Sequence, residues 1–196
     1  VEIPESGRYR IALGYYPTPE KSSNVELELL INGKSPFFEA QKVAFQRKWE
    51  NQDKEFKTDN RNNQLRPTQI NVPEWLESDF RDKDGLHSQS FAFYFEKGNN
   101  QISLKAIREV FALGYLKIYN EKETVSYQEY LKQQPQSNTQ EEYISLDAEK
   151  ADYKSSPSLY PITDRTSSTT KPYHPSQIRL NTIGGTAWQQ PGEWLE

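Results

Sequence analysis

Apolar residues recur at every second position through most of the first 119 residues of this chain, which is typical of half-buried β-strands. The alternation is clearest at 9–15, 25–31 and 91–95, and the pairs Asn32-Gly33 and Gly98-Asn99 are strong turn signals between such strands. Many short alternating strands separated by turns predict an all-β fold, an antiparallel β-sandwich.

The remaining chain is less regular. Ser126-Tyr-Gln-Glu129 has the form of a capping box, so we expect one short helix over 125–133. Residues 153–181 are rich in Ser, Thr and Pro and are predicted to lack regular structure. The polar, Asn-rich stretch 50–65 is predicted to be a long loop or an exposed hairpin. The predicted strands are 9–15, 25–31, 43–49, 70–72, 91–95, 102–104, 114–119, 143–148 and 193–196.

The end of the chain reads continuously into its beginning. Residues 192–196 followed by residues 1–11 spell G-E-W-L-E-V-E-I-P-E-S-G-R-Y-R-I, a strand, a turn and a second strand. We therefore expect a piece of a longer, repetitive extracellular protein that was cut within a repeat. Such repeats are usually binding modules rather than catalysts.

Composition narrows the class of protein and of partner. The 196 residues carry a net charge of −4 and no basic tract, so neither nucleic acid nor an anionic membrane is expected as a partner. No apolar run is long enough to span a bilayer, so no membrane insertion is expected.

There is no Cys, which excludes thiol nucleophiles and zinc-thiolate sites. The two histidines, His87 and His174, lie in no catalytic or metal-binding motif, so we expect no enzyme.

Several motifs resemble those of the galactose-binding-like jelly rolls, in particular carbohydrate-binding modules of the CBM6 and CBM35 kind. Such modules carry an Ala-Glu strand, a Gly-Gly segment, a V-P-E-x-G-x-Y-x-I strand, an Asn-Gly turn and a G-x-N-x-I-x-L strand. The order is permuted here, because the family's first third lies at the end of this chain. The matching segments are 148–149, 184–185, Trp194, 3–11, 32–33, 98–104 and 115–118.

The middle of the chain is also similar to accessory modules inside large extracellular solute-binding proteins of Gram-positive ABC transporters. This second resemblance rests on the segments 31–40, 45–49, 66–69, 73–76 and 107–109. It implies an extracellular or cell-surface protein that handles glycans.

These resemblances predict that the chain is divided into three parts. Residues 1–120 are expected to form the main jelly roll, and 121–142 a helix and linker. Residues 143–196 either begin a next tandem module or complete the sandwich, within one chain or in a strand-swapped homodimer. Because an unpaired sheet edge invites association, we favour completion.

Sugars are bound by flat aromatic rings and by polar groups that bond hydroxyls. In the modules that this chain resembles, the main site lies at one end of the sandwich. Carried over to this sequence, that site comprises Tyr16, Trp49, Arg108 and Glu109, with Arg47 as a further candidate between two aromatic residues.

Each candidate also has a structural interpretation. Tyr15 continues the buried alternation, whereas Tyr16 points to the other face and is the better ligand candidate. Trp49 suits core and site equally well, and Arg47 is either a cation–π spacer or a ligand donor. Arg108 and Glu109 are more simply a local salt bridge.

Related jelly rolls often hold a structural calcium through the glutamate of the Ala-Glu pair and an aspartate at the start of the last strand. Glu149 matches the glutamate, but Gly114 stands at the aspartate position. Calcium needs several hard oxygen ligands, so we expect no cofactor.

The predicted function is therefore non-catalytic binding of an oligo- or polysaccharide. The alternative is a structural spacer or protein-interaction module without a sugar site, and a glycoside-active enzyme fragment is a third hypothesis. An open, ring-lined end of the sandwich favours binding. An end plugged by residues 50–65 or by Trp75 favours the spacer.

Overall fold

The computed structural model describes residues 1–84, 86–120, 126–133, 144–166, 170–184, 188 and 192–196. Most regular structure in these ranges is antiparallel β-strand. The strands are β1 Glu2–Ile3, β2 Gly7–Pro17, β3 Val25–Ile31, β4 Val43–Phe45, β5 Lys48–Asn51, β6 Gln69–Val72, β7 Leu76–Asp79, β8 Ala92–Phe95, β9 Gly98–Asn99, β10 Ile102–Arg108, β11 Phe111–Tyr119, β12 Tyr153–Lys154, β13 Tyr160–Ile162 and β14 Thr182–Gly184.

Two sheets face each other across the hydrophobic core. In the first sheet β2 is central, with β11 on one side and β7 and β8 on the other; the second sheet has the order β10-β3-β4. The alternation predicted for β2 and β3 places one face of each strand in this core, where their inward residues are almost completely buried. The core residues of the two strands are Tyr9, Ile11, Leu13, Tyr15, Val25, Leu27, Leu29 and Ile31. The expected all-β antiparallel sandwich is confirmed.

A third sheet has the order β12-β5-β6, and it contains β12, the first strand of the segment 143–196. Tyr153 and Lys154 of β12 pair with Glu50 and Trp49 of β5 in the same chain. The C-terminal residues continue this pairing, since Leu195 forms a bridge with Lys154. The expected strand at 193–196 is therefore present only as a single bridge, at Leu195. The strand-swapped dimer stays a prediction.

Most predicted strands of the first 119 residues are confirmed, with one correction at the third. Residues 43–49 were expected to form one strand, but they form β4 and β5, which belong to different sheets. The break falls at residues 46–47, where the Arg47 side chain turns inward and bonds to backbone carbonyls of another loop. β7 was missed because Leu-Glu-Ser-Asp has little apolar content.

Two predictions for the last third are wrong. Residues 144–147 form no strand, and their apolar side chains Ile144 and Leu146 are exposed instead of packed. Residues 153–181 were expected to be irregular, but they contain β12 and β13. Tyr143, Gly185 and most of 121–142 lie outside the described residues.

The short helix is confirmed over Tyr127–Gln133. The Ser126 hydroxyl accepts a hydrogen bond from the Glu129 backbone N–H, and the Glu129 carboxylate accepts one from the Ser126 N–H, as in a capping box. Within the described residues, no helix is long and apolar enough to cross a membrane.

Candidate functional site

A cavity of about 520 Å³ lies at the end of the sandwich where β2 finishes. It is bounded by the loop that follows β2, by strands β5 and β6, and by the turn between β10 and β11. The lining residues are Pro19, Glu20, Lys21, Ser22, Ser23, Trp49, Ile70, Asn71 and Glu109.

Register in the third sheet places two of these residues side by side. Trp49 of β5 lies directly opposite Asn71 of β6, so their side chains share one face of the sheet. Trp49 is only 5% exposed, and its ring is therefore part of the structure rather than an open stacking platform. The Trp49 Nε1 and both amide atoms of Asn71 are buried and have no hydrogen-bond partner.

Arg47 lies behind the cavity and fixes the loop that bounds it. Its side chain is fully buried. Nε donates to the Ser23 carbonyl at 2.6 Å and Nη1 to the Thr18 carbonyl at 2.7 Å, so the guanidinium holds both ends of loop 18–23. Its remaining nitrogen, Nη2, is buried without a partner. Burial lowers the pKa of Arg47, and the nearby charge of Glu109 acts in the opposite direction.

Glu109 occupies the turn between β10 and β11 in a conformation that L residues rarely adopt. Its φ is +68°, in the left-handed region, which costs a non-glycine residue about 1–2 kcal/mol. One carboxylate oxygen lies 3.8 Å from the Arg108 Nε, and the other, Oε2, is buried without a partner. Thr18 donates to the Val110 carbonyl and ties loop 18–23 to this turn. Strain held in place by surrounding contacts is common at functional sites.

Five unpartnered polar atoms thus lie at this end of the sandwich, four on residues that line the cavity and the fifth on Arg47 behind it. They are Arg47 Nη2, Trp49 Nε1, Asn71 Nδ2, Asn71 Oδ1 and Glu109 Oε2. Each buried polar group without a partner costs about 1–3 kcal/mol. Elsewhere in the described residues only Glu149 Oε1 and Thr163 Oγ1 share this condition, so these costly groups are concentrated at the cavity.

The structure brings together three of the five predicted site residues, Arg47, Trp49 and Glu109. Arg108 contacts Glu109 but its side chain is 56% exposed, as in the local salt-bridge interpretation. Tyr16 points to the outer face of the first sheet, as predicted, but there it contacts the Trp75 ring and does not line the cavity.

Sequence reasoning missed Asn71. The signal was its position as the one polar residue between Ile70 and Val72 in a predicted strand, which places it on the opposite face from both. Its pairing with Trp49 depends on the register of β5 and β6, which a long polar connection leaves undetermined in the sequence.

The unpartnered atoms at the cavity include both hydrogen-bond donors and acceptors. Arg47, Trp49 and the Asn71 Nδ2 donate, whereas the Asn71 Oδ1 and Glu109 Oε2 accept. No group of three or more His, Asp or Glu side chains placed to hold a metal ion is found in the described residues. Glu149, which matches the calcium-binding glutamate of related jelly rolls, is buried, while Gly114, at the aspartate position, lies under the Trp75 ring.

Comparison with family models, curated proteins and solved structures found no match for this chain.

Proposed function

We propose that this protein is a non-catalytic carbohydrate-binding module whose site is the cavity formed by loop 18–23, Trp49, Asn71 and Glu109. The observation that carries the proposal is the set of five unpartnered polar atoms at the cavity. An extracellular or cell-surface location and a place in a sugar-transport protein follow only from the resemblance and belong to the same proposal.

The mixture of donors and acceptors favours a neutral sugar over an ion. A hydroxyl both donates and accepts, so a ring with several hydroxyls can serve the Asn71 amide, the Glu109 carboxylate and the Trp49 N–H together. An anion only accepts and would leave Glu109 Oε2 and Asn71 Oδ1 unpartnered. A cation only donates and would leave Arg47 and Trp49 unpartnered.

Binding includes an outward movement of the loop at 19–22. The unpartnered atoms have almost no contact with solvent, whereas residues 19–22 are exposed. Displacing this loop admits ligand hydroxyls to the atoms below it, while the two Arg47 hydrogen bonds keep the loop ends in place. Affinity is expected to be modest, because part of the binding energy is used to move the loop.

A panel of neutral methyl glycosides, screened by isothermal titration, tests the proposal. Asn71→Ala and Glu109→Gln should each weaken binding about tenfold, since each removes a hydrogen-bonding group. The matched control is Asn99→Ala, an exposed asparagine in β9 outside the cavity, and it should bind as the unaltered protein does. Binding that neither cavity variant weakens would contradict the assigned site.

The alternative of a structural spacer makes the opposite prediction. Trp75, which was expected to plug the sandwich end under that hypothesis, is 59% exposed, and residues 50–65 do not line the cavity. A folded, monodisperse protein that binds no glycan in the panel or on a broad glycan array would favour the spacer.

A further inference from the structure

One long side of the sandwich is left open. It is formed by β10 and β11, the end strands of the two facing sheets, which follow each other in the chain. Among the described residues, no strand pairs with the outer edge of either one. The backbone N–H and C=O groups along such an edge are a template for a further strand.

The inward side chains along this open side are only partly buried. Four of them pack against the core and still contact solvent, and we call them the open seam: Ile102 and Leu104 of β10, and Leu116 and Ile118 of β11. By contrast, the inward residues of the neighbouring strands β2 and β3 are at most 9% exposed. The core is therefore incomplete between β10 and β11, and further apolar side chains would cover it.

The second half of β11 is the regular part of this edge. A bulge interrupts the pairing of β11 with β2 between Leu113 and Tyr115, and beyond it the pairing continues without a break to Tyr119. In this stretch Leu116 and Ile118 point inward, because they lie opposite inward residues of β2. A strand added to residues 115–119 would extend the seam if it carried two apolar side chains two positions apart.

The chain itself carries this pattern in an unpaired segment, residues 144–147. Ile144 and Leu146 are two positions apart, and they are 86% and 87% exposed. The segment belongs to no helix or strand. It leads directly into the short 3-10 helix Ala148–Lys150, which packs against β13 and β14 with Glu149 buried. The segment is thus held in its own chain without pairing with β11, and its apolar side chains are open to another molecule.

We propose that residues 144–147 of one copy of this chain add as a strand to the edge at residues 115–119 of a second copy. Backbone hydrogen bonds of β11 pair the two strands, and the two apolar side chains of the segment cover the open seam. Reciprocal exchange gives a closed two-fold dimer, in which each copy supplies one segment and one edge. Of the ways to complete the sandwich that the sequence left open, this one is exchange between chains.

Light scattering across a dilution series measures the dimer. The double variant Ile144→Asp with Leu146→Asp should weaken it about a hundredfold, because two apolar side chains no longer enter the seam. Both side chains are exposed in the single chain, so the variant should fold as the unaltered protein does. The matched control is Phe38→Asp with Leu86→Asp, which changes two equally exposed apolar residues elsewhere and should leave the dimer unchanged.

Cysteine crosslinking locates the edge, since the chain has no Cys of its own. Ser145 lies between the two apolar residues of the segment and points outward in the added strand, as Lys117 does in β11. Isotope-labelled Ser145→Cys mixed with Lys117→Cys and a short bismaleimide should give a linked dimer, which mass spectrometry identifies. The control partner is Ala44→Cys on β4, the end strand at the other edge of the second sheet, and it should not be linked.

Three results would overturn the proposal. The first is a monomer at every concentration, or a dimer that the double aspartate variant of the segment does not weaken. The second is linkage of Ser145→Cys to Ala44→Cys in preference to Lys117→Cys, which would place the segment on another edge. The third is efficient linkage within a single chain that carries both Ser145→Cys and Lys117→Cys, which would show that the segment folds back on its own sheet. The end cavity takes no part in the exchange, so Asn71→Ala should leave the dimer unchanged.

Discussion

Two neighbouring positions on the same ladder of β5 and β6 differ in how their polar atoms are satisfied. At one, Asn51 lies opposite Gln69, and the Gln69 amide donates to Asn51 Oδ1 at 2.8 Å. Lys154 donates to both side-chain carbonyls, at 2.5 and 2.9 Å. At the other, Trp49 lies opposite Asn71 and none of their side-chain polar atoms has a partner. The first pair is stabilised by its own hydrogen bonds, whereas the second is the pair to which we assign the ligand.

Removal of Lys154 should give the largest effect. Lys154→Ala leaves the Gln69 side-chain carbonyl without a donor, removes one of the two donors to Asn51 Oδ1 and opens a cavity, so we expect the free energy of unfolding to fall by about 2–4 kcal/mol. Urea denaturation measures this loss. Lys154→Met loses the same hydrogen bonds but keeps most of the volume, so it should cost less than Lys154→Ala, about 1–2 kcal/mol. Equal losses for both variants would mean that the hydrogen bonds, and not the packed volume, account for the role of Lys154.

The pH dependence of stability gives the next largest effect. Burial lowers the pKa of Lys154 from 10.5 to about 8. Between these values the unfolded chain holds more protons than the folded one, so stability should rise with pH in that window. From about pH 8 to about pH 9.5 the gain should reach about 1–2 kcal/mol. Lys154→Met should lack this slope, and an unchanged slope in that variant would contradict the assignment.

A substitution at Glu109 is expected to raise the free energy of unfolding, by less than the substitution of Lys154 lowers it. Glu109→Gly removes the cost of a left-handed backbone, and the greater freedom of glycine in the unfolded chain offsets part of the gain. We expect a net stabilisation of roughly 0.5–1 kcal/mol by urea denaturation, together with loss of glycoside binding. A variant that is less stable than the parent would show that Glu109 serves the fold rather than a ligand.

The smallest effect on stability is predicted for Asn71. Asn71→Ala removes two polar atoms that have no partner, so the free energy of unfolding should change by less than about 0.5 kcal/mol. Asn51→Ala, the matched variant at the neighbouring position, should cost about 1–2 kcal/mol because Lys154 and Gln69 lose an acceptor. Equal losses at the two positions would remove the distinction between them.

The sequence predicted the sandwich because alternation is a local signal, and it is strongest in β2, β3 and β8. It did not predict β7 or β12, because these strands are short and polar and their extended conformation depends on pairing with strands that are distant in sequence. Trp49 and Glu109 were expected at one site through the resemblance, and Arg47 was a further candidate because it lies between two aromatic residues. Asn71 was not, because its place opposite Trp49 is set by long-range register. Arg47 was expected on a continuous strand, and its burial in a break between two sheets is a tertiary property.

The central claim is that polar atoms left unpartnered at the end cavity bind a neutral sugar. The most direct test is a ¹⁵N–¹H correlation spectrum of the four tryptophan indole groups during titration with the neutral methyl glycosides. We predict that the Trp49 indole resonance moves as its N–H gains an acceptor, while the Trp75 resonance stays in place, and that Asn71→Ala raises the glycoside concentration at the midpoint about tenfold. Shifts confined to Trp75, or a Trp49 shift with an unchanged midpoint in Asn71→Ala, would contradict the claim.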